Sequence, residues 1–96
     1  MRSYEIMLII RPELEEEAVQ AVIDRVTKII TSANGEVTNV DQWGKRKLAY
    51  EIKDNTEGFY VVIDFNADNE ATTEVERVLR ITDEVLRFLL VRKDQE

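Results

Sequence analysis

The sequence predicts an α+β fold with the element order βαββαβ, in which two helices cover one face of a four-stranded antiparallel sheet. Apolar and polar residues alternate in four segments, as is typical of strands. Between the first and second of these, and between the third and fourth, apolar residues recur with the spacing of an amphipathic helix. Two split βαβ units with right-handed crossovers follow from this order, and they build the ferredoxin-like plait.

The first half of the chain is predicted to contain a strand over residues 3–10 and a helix over 13–33. Pro12 ends the strand because proline has no N–H to donate to a ladder, and it suits the first turn of a helix. Acidic residues crowd that first turn, where the helix dipole favours anions. Asn34-Gly35 then supplies the left-handed conformation at which helices commonly end.

The second half is predicted to contain a long extended stretch, a turn, two strands and a helix. Gly44 interrupts the extended stretch and indicates a bulge, and the residues after it are apolar on one side only, as in an edge strand. Asp68 and Asn69 can cap the second helix. The predicted positions are 36–53 for the extended stretch, 54–58 for the turn, 59–65 and 85–92 for the strands and 70–80 for the helix.

Length and composition exclude several classes of protein. The 96 residues suffice for one domain, predicted over 1–93 and followed by a short polar tail at 94–96. The chain has no cysteine and no histidine, so we predict no catalytic residue, no metal site, no cofactor and no small-molecule substrate. No apolar run could span a membrane and no signal-peptide cleavage site is present, so we expect an intracellular protein without membrane contact.

The charge of the chain is unevenly distributed. A net charge of −7 argues at first sight against nucleic acid, because affinity for phosphate comes mainly from lysine and arginine. Residues 41–53 nevertheless carry a net charge of +2 and residues 77–93 a net charge of +3, whereas the rest of the chain carries −12. Charge runs often do no more than solvate a surface. Two basic segments on an acidic body favour a specific contact with a polyanion.

One face of the predicted sheet is left uncovered, although several strands carry apolar residues on both faces. In the first strand Met7 and Ile9 point away from the larger apolar set, and in the third strand Tyr60 and Val62 do the same. An uncovered face with this content predicts a contact surface for another protein. Ordinary exposure of scattered apolar residues is the alternative.

Three segments carry a more specific signal. Residues 43–52, WGKRKLAYEI, place three cations beside an aromatic residue, and such cations can hold phosphates while a ring stacks on a base. Residues 79–92 have the sequence LRITDEVLRFLLVR, and Arg2-Ser3-Tyr4-Glu5 stands near the start of the chain. In this order and spacing, over nearly the whole chain, these segments closely resemble the bacterial small-subunit ribosomal protein S6 family.

The resemblance implies a structural component of the small (30S) ribosomal subunit in the cytoplasm, with a ferredoxin-like fold. It implies binding to 16S ribosomal RNA together with ribosomal protein S18, a small basic protein with which the family forms a heterodimer. We expect the partner protein to meet the uncovered sheet face at Met7, Ile9, Tyr60 and Val62. The predicted RNA-binding residues are Arg2, Tyr4, Trp43, Lys45, Arg46, Lys47, Arg80, Arg87 and Arg92.

These residues are expected to act in two ways, and two rival functions remain. The cations would contact phosphates, whereas Tyr4 and Trp43 would pack on a sugar or base, or instead serve the core or a hinge.

A non-catalytic regulatory or ligand-binding module that homodimerises through its sheet face is the first rival function. A small hydrolase of this fold is the second, and the absence of histidine, cysteine and a glycine-rich loop argues against it.

Overall fold

The six predicted elements form in the predicted order in the computed structural model, which describes residues 1–93. The strands lie in the order β2-β3-β1-β4, and every neighbouring pair is antiparallel. The predicted ferredoxin-like fold is therefore confirmed, and the tail predicted at 94–96 lies outside the described residues. The elements are β1 (Arg2–Ile10), α1 (Glu16–Ser32), β2 (Glu36–Ile52), β3 (Asn55–Ala67), α2 (Asn69–Arg80) and β4 (Val85–Arg92).

The hydrophobic core lies between the two helices and one face of the sheet. Alternate residues of the two central strands enter it, because successive side chains of a strand point to opposite faces. Burying each of these aliphatic side chains stabilises the fold by about 1.5–3 kcal/mol relative to exposure. Core residues include Tyr4, Ile6, Leu8 and Ile10 of β1, Val61, Ile63 and Phe65 of β3, Val22, Val26 and Ile30 of α1, and Val75 and Leu79 of α2.

The first helix starts later than predicted. It begins at Glu16 instead of residue 13, and Glu15 stands at its N-cap with extended backbone. The preceding residues form a separate turn, in which the N–H of Leu14 donates to the carbonyl of Arg11 at 3.4 Å. The acidic run gives several equally favourable helix starts, since each places carboxylates near the positive end of the dipole. Propensity alone therefore did not select the correct first turn.

Two predicted helix ends are confirmed in position. Asn34 has φ of 66° directly after α1, and the N–H of Gly35 donates to the carbonyl of Ile30 at 2.8 Å. Asp68 occupies the N-cap of α2, but its side chain makes no capping hydrogen bond. The first turn of α2 instead begins with backbone bonds to the carbonyl of Asp68.

The hairpin that joins β2 and β3 is longer than predicted. Its turn consists of Lys53 and Asp54 alone, whose φ angles of 49° and 66° are those of a type I′ hairpin turn. The side-chain amide of Asn55 donates to the carbonyls of Ile52 and Lys53, at 3.3 and 2.9 Å, and so stabilises the turn. The predicted turn at 54–58 was therefore too long, because polar residues of an exposed strand resemble a loop in sequence.

The hairpin contains two interruptions of its ladder. The pairing of β2 with β3 shifts between Gln42 and Gly44, which confirms the bulge predicted at Gly44. It shifts again between Lys47 and Ile52, so that residues 48–51 leave the ladder, and this segment lines a groove together with Met7 and Ile9 of the uncovered face. A bulge turns a strand away from its flat course. The second interruption lets the end of the hairpin cross the uncovered face.

Candidate nucleic-acid and partner interfaces

Five of the predicted RNA-binding cations lie at the same end of the sheet. Lys45 pairs with Phe59 of β3, and Phe59 in turn pairs with Ile10, the last residue of β1. On the other side of β1, Arg87 pairs with Ile9. Arg80 is close by, because α2 ends there just before β4 begins. We call this region the cationic end; its predicted members are Lys45, Arg46, Lys47, Arg80 and Arg87.

Trp43 anchors the outer strand at the cationic end. Its ring stacks on that of Tyr60, with the centroids 6.1 Å apart and the planes 4° from parallel. The indole Nε1 donates to the carboxylate of Asp41 at 2.9 Å, and Nε of Arg46 donates to the Trp43 carbonyl at 3.1 Å. Gly44, at φ of 82°, forms the bulge beside it. Trp43 as a whole stays 42% exposed, so part of its surface remains available beside Arg46.

Two further cations of this end, Lys45 and Arg87, have partners that leave donors free. The ammonium of Lys45 lies 5.4 Å from the ring centroid of Phe59, a cation–π contact that uses none of its hydrogen-bond donors. Arg87 donates from Nη1 to the hydroxyl of Tyr50, which the bent end of the hairpin carries across the sheet. The guanidinium retains further N–H groups after this one bond.

Arg2 and Arg92 lie at the opposite end of the sheet. Arg2 pairs with Ala67 and Arg92 pairs with Tyr4, so both belong to the end of the sheet where β1 begins. The predicted RNA-binding set therefore forms two separate groups. A short stretch of nucleic acid at one end of the sheet would contact one of these two groups and not the other.

Tyr4 does not lie on the surface. Only 8% of it is exposed, and its ring stacks on Phe65 at 5.5 Å inside the core. Its placement among the RNA-binding residues is therefore corrected to the core role, because its side chain shares the helix-covered face with Ile6 and Leu8. The alternation of side chains along β1 already predicts that Tyr4 lies on the core face of the sheet.

The sheet face opposite the helices is only partly open. Met7 and Tyr60 are half-buried, whereas Ile9 and Val62 are 9% and 7% exposed. Ile9 is covered because the bent hairpin reaches over it, enclosing a groove of about 190 Å³. Ile9 and Val62 are therefore buried within the free chain and have little surface to offer a partner protein. The groove is lined by Met7, Ile9, Leu48, Ala49, Tyr50, Ile52, Tyr60, Arg87, Phe88 and Leu89.

Leu89 and Val91 are exposed apolar residues of this face and were not among the predicted interface residues. They are 56% and 43% exposed, on the outer strand β4. Leu89 pairs with Met7 and Val91 pairs with Glu5, which places both on the face away from the helices. Their alternation with Phe88 and Leu90 was the signal in the sequence that could have found them.

The open face is polarised in charge. Far from the cationic end, Glu5 and Asp64 stand directly opposite each other on β1 and β3. Like charges at such a position repel, and the ammonium of Lys93, 3.4 Å from Asp64, offsets part of the repulsion. Asp41 of β2 pairs with Val62 of β3 and so lies near Glu5 and Asp64. The face thus has an acidic end, an apolar middle and the cationic end.

Residues 1–93 hold no candidate metal cluster and one pair of shifted pKa values. No group of three or more acidic side chains that could hold a metal ion occurs within residues 1–93. The only shifted pKa values resolved in that range belong to an exposed pair on α2: the hydrogen bond from Arg77 lowers the pKa of Glu74, and the same bond raises the pKa of Arg77. Neither described helix is long and apolar enough to cross a membrane.

The fold is ferredoxin-like, and it presents a cationic end and an open apolar face. The family model described as Ribosomal protein S6 matches residues 3–92. The chain is 47% identical to small ribosomal subunit protein bS6 of Moorella thermoacetica over 96 residues, covering 100% of this chain and 98% of that protein. It is 50% identical to bS6 of Thermoanaerobacter pseudethanolicus over 95 residues, covering 99% and 100%.

Solved structures agree with the sequence comparison. The crystal structure of 30S ribosomal protein S6 from Thermotoga maritima has a TM-score of 0.90 and 41% identity, covering 96% of this chain and 87% of that one. The C-terminal domain of MgtC from Mycobacterium tuberculosis has a TM-score of 0.66 at 10% identity, which shows the shared fold alone. This chain belongs to the ribosomal protein S6 family, as the sequence predicted. It is a ribosomal protein and not an enzyme.

Proposed function

We propose that the chain is a structural component of the small (30S) ribosomal subunit that binds 16S ribosomal RNA together with ribosomal protein S18. The observation that carries this proposal is the placement of the cationic end next to an apolar face that the chain's own helices leave uncovered. One surface suits a polyanion and the other suits a second protein. Membership of the ribosomal protein S6 family supports the ribosomal setting.

The cationic end supports the RNA part of the proposal. Lys45, Arg46 and Lys47 are all exposed on an outer strand, so a nucleic-acid backbone can approach them without rearranging the core. The chain as a whole carries a charge of −7, which repels RNA at a distance. Affinity must therefore come from this local group of cations, and from a basic partner that reduces the net charge of the complex.

The open face supports the partner part of the proposal. It offers Met7, Tyr60, Leu89 and Val91 as apolar contacts, and its far end, where Val91 pairs with Glu5, offers the carboxylates of the acidic end. A basic protein with an apolar patch complements both parts, and charge complementarity speeds and orients such encounters. Ribosomal protein S18, the small basic protein implied by the family resemblance, has the required charge.

The RNA contact is tested by removing two charges from the cationic end. In the complex with S18, the double variant Arg46→Ala/Lys47→Ala should bind a 16S rRNA fragment more weakly, with a slope of log K against log salt shallower by about 0.7–0.9 for each lost phosphate contact. Arg25→Ala/Lys28→Ala on α1 is the matched control with the same change in charge. An unchanged affinity and slope in the first variant would contradict the RNA contact.

The partner contact is tested on the open face. Leu89→Ser removes an exposed apolar side chain and should weaken the complex with S18 by about tenfold, as expected for an interface contact of about 1.4 kcal/mol. Ile81→Ser is the matched control, because Ile81 is 74% exposed but lies just after α2, away from this face. Equal affinities of both variants and the unmodified chain would place the partner elsewhere.

A further inference from the structure

A cavity at the end of the hairpin carries a site that the sequence did not predict. It has a volume of about 200 Å³ and lies where the turn of the hairpin meets the end of α2 and the beginning of β4. Three of its seven lining residues are cations, the other four are apolar, and none is a carboxylate. We propose that Lys53, Arg80 and Arg87 together bind one backbone phosphate of an RNA strand, with Lys53 as the previously unassigned ligand.

The fold brings these cations together from three distant parts of the chain. Lys53 is the first residue of the hairpin turn, Arg80 is the last residue of α2, and Arg87 belongs to β4. β2 and β4 are the two outer strands of the sheet, so a flat hairpin would keep Lys53 away from Arg87. The bulge at 48–51 bends the hairpin, and the bond from Arg87 to Tyr50 holds its end across the sheet.

Each of the three cations has donors to offer an anion. Lys53 is exposed, and its ammonium forms no ion pair or hydrogen bond with any of residues 1–93. Arg80 lies 4.0 Å from the carboxylate of Glu76, an exposed contact of the kind that contributes little to stability. Arg87 uses one Nη1 hydrogen bond for Tyr50 and keeps its remaining N–H groups.

The electrostatics of the cavity favour a strongly anionic ligand. Three positive charges around one cavity repel one another until an anion neutralises them. The negative end of the α2 dipole lies near this region and opposes an anion, so the attraction must come from the three cations themselves. A phosphate accepts several hydrogen bonds at once and matches the planar donor fork of arginine.

An RNA strand is the occupant that the surroundings favour over a single acidic side chain. Lys45, Arg46 and Lys47 lie at the same end of the sheet, so further cations stand beyond the cavity, although Lys47 pairs with Glu57. A polymer with several phosphates can contact the cavity and these cations together, whereas an isolated carboxylate fills one position only. This inference rests on the proposed binding of 16S rRNA and adds a specific site to it.

The first test measures RNA binding by the complex with S18. Lys53→Gln should weaken binding to a 16S rRNA fragment and reduce the salt slope by about one, whereas Lys53→Arg should restore both. Lys28→Gln, an exposed lysine of α1, is the matched control and should leave both unchanged. If the unmodified complex binds the fragment and Lys53→Gln behaves like Lys28→Gln, the phosphate site is wrong while the proposed function stands.

The second test needs no RNA. Isotope-labelled protein is titrated with inorganic phosphate against sodium chloride of equal ionic strength, and the backbone amide resonances are followed. The proposal predicts saturable shifts concentrated at Lys53, Arg80 and Arg87 that disappear in Lys53→Gln. Shifts identical to those in chloride, or centred elsewhere, overturn it. Local phosphate shifts in a protein whose complex with S18 does not bind RNA would support the phosphate site and refute the proposed function.

Discussion

The ring of Trp43 lies 6.1 Å from that of Tyr60 and almost parallel to it, at an angle of 4°. This contact joins the outer strand β2 to the central part of the sheet at the point where the apolar face meets the cationic end. Trp43 is the only tryptophan of the chain. The stack fastens β2 to β3 beside the cations of β2. Because the chain has no other tryptophan, the environment of the stack can be followed by fluorescence.

The stack should contribute measurably to stability. A double-mutant cycle of Trp43→Ala and Tyr60→Ala should give a coupling energy of about 0.5–1.5 kcal/mol, the range observed for aromatic pairs. The measurement is urea unfolding followed by circular dichroism, because the cycle removes the tryptophan signal. The pair Tyr50→Ala and Trp43→Ala provides the control cycle, and additive effects are expected there. Additivity in the first cycle as well would mean that the rings do not stabilise each other.

The bond from Arg87 to Tyr50 should hold the bent end of the hairpin over the sheet. Tyr50→Phe removes this one hydrogen bond, so the amides of Ile52 and Asn55, which pair at the end of the hairpin, should exchange about two- to tenfold faster with deuterium, while those of β1 keep their protection. Tyr60→Phe is the matched control, since no hydrogen bond of the Tyr60 hydroxyl occurs within residues 1–93. Equal exchange of the hairpin amides in both variants would contradict a holding role for Arg87.

Gly58 should be required for the close approach of β3 to Ile9. A Cβ atom at Gly58 would lie 2.6 Å from Cγ2 of Ile9 and 3.2 Å from the carbonyl of Ile10. Gly58→Ala should therefore lower the free energy of unfolding by about 1–3 kcal/mol. Adding Ile9→Ala should cost less in this variant than in the unmodified chain, because it removes the clashing atom.

Gly44→Ala provides the comparison for that prediction. Its Cβ would meet nothing within 4 Å, so the cost comes only from φ of 82° and amounts to about 1–2 kcal/mol. Ile9→Ala should be additive with it. Denaturant titrations of the single and double variants measure both effects, and additivity with Gly58→Ala as well would show that the strand relieves the clash in another way.

The ion pair of α2 should make a small, pH-dependent contribution to stability. Arg77 donates to both oxygens of Glu74, at 2.9 and 2.7 Å, and this bond holds the pKa of Glu74 below its ordinary value of 4.5. The folded state therefore binds this proton less readily than the unfolded state. The contribution is present above pH 4.5 and is lost as the pH falls through the lowered pKa.

This dependence is measured by carboxyl NMR titration and by unfolding between about pH 3 and 6. Arg77→Ala should return the pKa of Glu74 to its ordinary value and flatten that part of the stability profile. A pKa of Glu74 that stays lowered without Arg77 would assign the shift to another cause.

The sequence predicted the fold well because the buried face of each strand has a strict pattern. Tyr4 shows the strength of that pattern: alternation places it with Ile6 and Leu8 on the core face, where the structure has it. The family resemblance had suggested an RNA contact for the same residue. The physical periodicity was the better guide, since a one-residue shift would have exposed the whole apolar set of β1.

The path of the hairpin could not be predicted, because the alternation after Gly44 indicates an edge strand but not the direction in which that strand bends. Its course depends on the turn at Lys53 and Asp54 and on the departure of residues 48–51 from the ladder. That course covers Ile9 and brings Lys53 to Arg80. The sequence contained all of these cations, but only the bent hairpin shows which of them line a common cavity.

Joint binding of RNA by this chain and ribosomal protein S18 is tested most directly by filter binding of a 16S rRNA fragment to the chain with and without S18. The chain alone carries a charge of −7, so it should retain little RNA at moderate salt, whereas the two proteins together should retain it tightly and release it as the salt concentration rises. Tight retention by the chain alone, unchanged when S18 is added, would contradict the joint binding proposed here.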